Sequence, residues 1–229
     1  MIKCRCVTHT VNPDNIANLA AYICTKTEIT DGLLDACVKE NNDNVFFAPL
    51  MHALKSRHYS VLEHVSFTFY ISGISRVTLD QLTRHRIAAY SVSSQRYTNI
   101  EDQTPVIPNT IVENWLHPHV KKHMEDSIAL YKHLVDAGVP REDARYVMPE
   151  GTITSLLLTM NARELLHVFN MRCCNRAQWE IRQLADMMLE ICKKEAPIIF
   201  ENAGPSCVSE GVCHEARSCG KPRSINESD

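Results

Sequence analysis

Cations and hydroxyls are concentrated in one stretch of this chain, from Arg84 to Tyr97. Arg84, His85 and Arg86 set three fixed or potential cations side by side, Ser91, Ser93 and Ser94 follow, and Arg96 stands next to the ring of Tyr97. A guanidinium fork matches two phosphate oxygens at once, and serine hydroxyls fill the acceptor positions that remain. The order suits a phosphate-bearing ligand. The alternative is a basic helix end on a solvated face.

A second concentration runs from Asn161 to Arg172. Asn161-Ala162-Arg163-Glu164 reads as a helix start, with Asn at the cap and Glu three residues later. In the helix that follows, Arg163, His167 and Asn170 fall at i, i+4 and i+7 and share one face, while Leu165, Leu166 and Phe169 cover another. One side is apolar, the other has the character of a ligand site, and Arg172 closes the helix. Arg145 is a further isolated cation, in a short helix between Pro140 and Pro149.

Other constellations carry less. His119 and His123 have the i, i+4 spacing of a metal pair, but Val120 stands where a zincin motif needs Glu, so they read as solvated histidines. Ser94 as a nucleophile needs a base and a third group to orient it, and only His85 is a candidate base. Cys207, Cys213, His214 and Cys219 are zinc-type ligands in the tail. Their five-residue gaps exceed the close Cys pairs of structural zinc sites, so a metal-free, reduced tail is expected.

Elements that could position these groups follow from periodicity. Lys3 to Val11 alternates as a strand, and Asn12-Pro13-Asp14 starts a helix using Ile16, Leu19, Ala20 and Ile23. A second helix after Thr30 uses Leu33, Leu34, Cys37 and Val38, and a third runs from Pro49 to Arg57. Val65, Phe67, Phe69 and Ile71 face one way along a strand ended by Gly73. Ser75 caps a short helix reaching Arg84. A long helical region from Asn109 to Ala137 is kinked or divided at Pro118 and stopped by Gly138. Thr152 to Met160 is a second buried strand, and Ala177 to Lys194 a helix burying Ile181, Leu184, Met188 and Ile191. The architecture expected is α+β: an antiparallel sheet flanked by long helices.

The totals set limits. A hydrophobic content of 45% supports a sizeable core, and 229 residues suit one large domain, with 205–229 as a loosely ordered tail. The net charge of −3 gives no global field for nucleic acid, so anions must be bound locally. The first residues have no apolar secretory core and no run is long enough to span a membrane. With ten scattered Cys and no evident disulfide framework, a reducing, cytoplasmic setting is expected.

Arg84-His85-Arg86, seven residues, Ser94, then Arg96-Tyr97 resembles the signature of the flavin-dependent thymidylate synthases. This chain carries Ala89, Ser91 and Val92 where many members have Ser, Asn and Glu; the frame around them is unchanged. His58 and Glu63, the Ala144-Arg145-Tyr146-Val147-Met148-Pro149 ending, Asn161-Ala162-Arg163 and Ala177-Gln178-Trp179-Glu180 resemble the family too, so the likeness runs from about Arg57 to Phe200.

The resemblance implies that the chain converts dUMP to dTMP, with methylenetetrahydrofolate as carbon donor and FAD, reduced by NADPH, as hydride source. His58, Ser60, Arg84, His85, Arg86, Val92, Asn161, Arg163 and His167 are then expected at the flavin. Gln81, Arg84, Val92, Ser93, Ser94, Gln95, Arg96 and Arg145 are expected at the nucleotide, with Arg172 polarising the uracil in place of a cysteine nucleophile. Cys173 and Cys174, beside Arg172 and Arg176, are the rival nucleophiles. The resemblance also implies a homotetramer with active sites shared between subunits; from charge, hydropathy and ligand spacing, no nucleic acid, membrane or bound metal is expected. The competing class is a non-catalytic nucleotide- or RNA-binding protein using the same arginines. RNA readers interleave exposed aromatics with basic residues, and aromatics are only 7% of this chain.

Overall fold

The computed structural model describes residues 1–26, 28–38, 46–98 and 104–222. Strand β1 (Lys3–His9) and helices α1 (Pro13–Thr25), α2 (Asp31–Val38) and α3 (Ala48–Lys55) come first. A 3-10 helix (Tyr59–His64) leads into β2 (Ser66–Ser75), followed by α4 (Arg76–Leu82) and β3 (Ala88–Val92). Helices α5 (Asn109–Val112), α6 (His117–Asp136) and α7 (Arg141–Ala144) and a 3-10 turn (Arg145–Val147) precede β4 (Ile153–Asn161). The chain continues through α8 (Ala162–Arg172), α9 (Trp179–Glu195), α10 (Pro197–Phe200) and α11 (Ser206–Ser209).

The strands form one antiparallel sheet in the order β1-β2-β4-β3, mixed with helices as an α+β architecture. Register between β2 and β4 is fixed at several points: Ala162 N–H donates to Val65 O, the Thr68 and Thr159 hydroxyls meet at 2.9 Å, and Arg76 N–H donates to Thr152 O. Partners advance in opposite directions along the two strands, as antiparallel pairing requires.

Two compact units divide the chain. One holds Met1–Lys3, Ile71–Arg84 and Tyr90–Leu157; the other holds Cys4–Tyr70, His85–Ala89 and Leu158–Asp229. In the larger unit, Phe67, Phe169 and Phe200 are fully buried and meet edge to face, with Phe200 centred 5.8 Å from each of the others. Two buried polar side chains tie its helices together. Asp14 accepts from the Ile198 and Ile199 amides at the start of α10, and Asn18 accepts from Leu50 N–H. In the smaller unit, Tyr131 and Ala144 are wholly buried among Leu134, Val135, Val139, Val147 and Met148, so α6 packs on the α7 segment.

Several sequence expectations change in detail. Gly73 lies inside β2 rather than ending it. Its φ is +75°, and a Cβ there would stand 2.6 Å from the Met1 carbonyl oxygen, so glycine serves a bend and a close backbone approach. The helix capped by Ser75 ends at Leu82, leaving Thr83 and Arg84 outside it. The long helical region is divided: α5 ends at Val112 and α6 begins at His117, with Pro118 in its first turn, where a missing N–H costs nothing. In α2 only Cys37 is buried, while Leu34 and Val38 are exposed. In α9, Cys192 rather than Ile191 completes the buried face. No helix among the described residues is long and apolar enough to cross a membrane.

Candidate active site

The larger unit holds a cavity of about 1280 Å³, lined by one face of α8 together with α3, the 3-10 helix and the segment after α9. Asn161, Arg163, His167 and Asn170 line it, as their helical spacing predicts; Leu166, assigned by spacing to the apolar face, lines it too. Asn161 caps α8, its side-chain oxygen accepting from Glu164 N–H at 2.9 Å. Arg163 pairs with Glu63 across the cavity mouth. Tyr59 and Glu63 also line the wall; His58, just before that short helix, and Ser60, on it, are exposed and are not among the lining residues.

Glu164 does not complete a reciprocal capping box. Its side chain is buried, and Oε1 lies 3.4 Å from His85 Nδ1. On the other side of the imidazole, Arg172 Nε donates to His85 Nε2 at 3.0 Å. An arginine Nε always carries hydrogen, so His85 Nε2 must be the acceptor and its proton resides on Nδ1, facing the Glu164 carboxylate. The three side chains thus form a relay from a half-buried Arg172 through the buried His85 to the buried Glu164, with the His167 ring edge-on at 5.7 Å from the His85 ring.

The electrostatics follow from this packing. Burial, then the Arg172 charge, then His167 push the His85 pKa down from 6.5 to about 4. His85 is therefore neutral near pH 7, and the expected cationic trio at 84–86 reduces to two exposed arginines flanking a buried, neutral ring. Burial raises the Glu164 carboxyl and lowers the Arg172 guanidinium from their ordinary values. Spacing alone could not find Glu164, because its role depends on a ring far away in the chain.

The smaller unit carries the rest of the candidates. Ser93 N–H donates to Ser155 O, extending the ladder past β3, and Ser94 accepts from the Arg96 amide through Oγ. The Tyr97 and Thr98 amides both donate to Ser94 O, which turns the chain tightly. Val92, Ser93, Ser94 and Gln95 are half-buried there. The Arg96 guanidinium sits 5.6 Å above the Tyr97 ring and pairs with Glu142, whose backbone oxygen also accepts from Arg145 Nε. Arg76 joins them: it donates to Ser93 O at 3.3 Å, its Nε is buried with no hydrogen-bond partner among the described residues, and burial followed by the Arg145 charge lowers its pKa. Guanidinium groups gathered this way repel one another until an anion arrives. Arg76 escaped the sequence reading because it follows a capping serine and looks like a first-turn helix residue. Gln81 donates at 3.4 Å to Val77 O one turn back, and Arg84 is exposed. His119 and His123 are exposed on α6.

Known proteins resemble the chain along most of its length. A family model described as thymidylate synthase complementing protein matches residues 5–198. The flavin-dependent thymidylate synthase of Geobacter sulfurreducens is 43% identical over 228 residues, covering 98% of this chain and 96% of that protein. That of Clostridium tetani is 38% identical over 237 residues, covering 96% and 94%. That of Pyrococcus abyssi is 41% identical over 225 residues, covering 94% and 90%. With the family model spanning most of the chain and full-length relatives above 30% identity, the chain belongs to the flavin-dependent thymidylate synthase family of enzymes.

Proposed function

We propose that the chain catalyses reductive methylation of dUMP to dTMP, with methylenetetrahydrofolate as carbon donor, FAD as the flavin and NADPH as its reductant. The observation that carries the reading is the relay that joins Arg172 and Glu164 of α8 through His85, since α8 also lines the 1280 Å³ cavity. The fit to a flavin dinucleotide rests on that volume, on the polar face Asn161, Arg163, His167 and Asn170, and on the exposed Arg84 and Arg86 for pyrophosphate. Bound FAD, once reduced, supplies the hydride. Everything else falls to the chain's own groups. Asn161, Arg163 and His167 orient the ring, with His58, Ser60 and Val92 as further flavin neighbours. Arg96, Arg145, Ser93, Ser94, Gln95, Arg84 and Gln81 hold the nucleotide. The cluster Arg76, Arg96 and Arg145 suits a monophosphate dianion, since guanidinium forks match phosphate oxygens two at a time and the Arg76 and Arg145 charges disfavour each other without an anion.

Uracil C5 becomes nucleophilic when negative charge on the N3–O2–O4 edge is stabilised, which asks for a fixed cation in a site sheltered from water. Arg172 suits the task because His85 holds its Nε and it is half-buried, so part of the fork stays open to a ligand. A cysteine route is disfavoured: the Cys173 side chain is wholly buried, and Cys174 Sγ lies 4.0 Å from Glu215 Oε1, beside the tail rather than the large cavity.

One functional domain spanning the chain, the fold shared with the family, a cytoplasmic setting and a homotetramer with shared active sites complete the proposal. Purified protein should be yellow, lose its visible flavin band under anaerobic NADPH, and form dTMP when dUMP and methylenetetrahydrofolate are added. A colourless protein that binds RNA and makes no dTMP would overturn the reading. Shared sites predict that inactive Arg172→Ala and Arg84→Ala chains regain activity when mixed; no recovery despite proven subunit exchange counts against sharing.

A further inference from the structure

Four cysteines that are scattered in sequence line one small cavity past the end of α8. Cys174, Cys207, Cys213 and Cys219 surround a space of about 210 Å³, with Asn175 between the helix and the tail. The five-residue gaps argued against a metal when only the tail cysteines were counted. The fold adds Cys174, a fourth sulfur in the bend just after the Cys173 cap of α8.

The tail needs something to hold it. Residues 209–222 are exposed throughout, so hydrophobic burial contributes almost nothing to their order. Yet Gly211 and Gly220 both take φ of +71°, with nothing within 4 Å of either Cβ position, so each glycine serves a specific turn. The second turn follows Cys219 directly. There Lys221 N–H donates to Cys219 Sγ at 3.4 Å, Asn175 Nδ2 approaches the same sulfur at 3.9 Å, and Sγ lies 3.1 Å from Lys221 O. Asn175 Nδ2 also donates to Lys221 O at 2.8 Å. The Cys219 thiol donates to that Lys221 carbonyl, and the N–H donors beside the sulfur are contacts of the kind that orient a cysteine ligand and tune the metal once it is bound. His214 is less suited as a ligand, since its Nε2 is held by Glu210 at 3.0 Å and Glu210 in turn accepts from Arg57.

We propose that Cys174, Cys207, Cys213 and Cys219 form a tetrathiolate site for a borderline-soft divalent cation, zinc being the best fit, which pins the tail to the end of α8. Four sulfur donors exclude magnesium and calcium as occupants. Among the described residues no three His, Cys, Asp or Glu side chains stand as a formed metal group. The cation therefore assembles the site, drawing the exposed Cys213 and Cys219 segments toward Cys174 until each sulfur reaches about 2.3 Å from the metal. Each metal–sulfur bond forms as a thiol proton leaves to water, about four protons per cation when all four start as thiols. The site is structural, but it sits two residues beyond Arg172. The same tail also supplies Ser209, Glu210, Val212 and His214 to the wall of the large cavity.

Untagged full-length protein expressed with zinc tests this by metal analysis, alongside thiol counting without reductant. About one zinc per chain is expected. Cys174→Ser, Cys207→Ser, Cys213→Ser and Cys219→Ser should each lower zinc content at least tenfold, while Cys24→Ser leaves it unchanged. Should the variants fold poorly, zinc titration of the reduced wild-type chain still decides, through proton release and, with cobalt, thiolate-to-metal charge-transfer absorbance. Zinc absent from the purified protein with no proton release on titration overturns the proposal. Zinc retained in the Cys variants overturns it too, as do thiol counts showing these cysteines paired as disulfides.

Discussion

Arg172→Ala should leave a yellow protein that forms dTMP about a thousandfold more slowly or worse, the scale of losing a preorganised charge stabiliser in a sheltered site. Flavin content should hold, because the ring contacts assigned to Asn161, Arg163 and His167 do not include the guanidinium. The loss should fall on kcat in single-turnover measurements with flavin already reduced, since flavin reduction does not involve the uracil edge. Arg172→Lys should recover little: an ammonium carries the charge but not the planar fork, and it cannot donate both to His85 Nε2 and to a pyrimidine edge from one position. The Cys173→Ala, Cys174→Ala double variant should keep substantial turnover, with any deficit traced to the tail and relieved by raising substrate concentrations. A double variant that binds dUMP and FAD normally yet is dead would reinstate the thiolate route.

Much of the framework was legible because it is local. Ser75 and Asn161 cap helices through their own side chains, and each can be read from a handful of neighbouring residues. The alternation of Val65, Phe67, Phe69 and Ile71 gives a buried face because a strand has period two, and all four are fully buried. The polar stripe Arg163, His167, Asn170 lines the cavity for the same kind of reason at helical period. The charge state of His85 was not legible. Beside Arg84 and Arg86 it looks cationic; what makes it neutral is burial, then the Arg172 charge and the neighbouring His167, and no sequence spacing reports those contacts. Arg76 was hidden for a similar reason, since its neighbours Ser93 and Arg145 come from distant segments. The division at residues 113–116 was only half legible: Pro118 announces a boundary but serves equally as a kink or a first-turn residue.

His85→Leu should lower turnover about ten- to a hundredfold with flavin still bound, the scale of one hydrogen bond to a charged group. His85 touches no reacting atom in this scheme. It is a positioning residue, fixing the Arg172 fork through Nε2 and being fixed by Glu164 through Nδ1–H. Leucine fills similar space but removes the acceptor for the half-buried Arg172 Nε and the ring that faces the buried Glu164 carboxylate. Glutamine keeps an acceptor for Arg172 near the Nε2 position, so His85→Gln should recover most of the loss in kcat, a rescue that mere space-filling cannot produce. A second readout is stability against pH. The folded-state pKa of about 4 lies below the ordinary 6.5, so between these values the unfolded chain binds the proton and the folded one does not. The His85 contribution is therefore complete above about pH 6.5 and declines as pH falls toward 4, by at most about 3 kcal/mol. The raised Glu164 carboxyl works in the opposite sense, since the folded state takes up that proton more readily, and it blunts the decline at the acid end. Urea unfolding across this range should show wild type losing stability on acidification more steeply than His85→Leu and His85→Gln, both of which lack the titrating ring. Parallel curves for all three proteins would mean that the ring is not held neutral, and with it the tautomer assigned from Arg172 would fall.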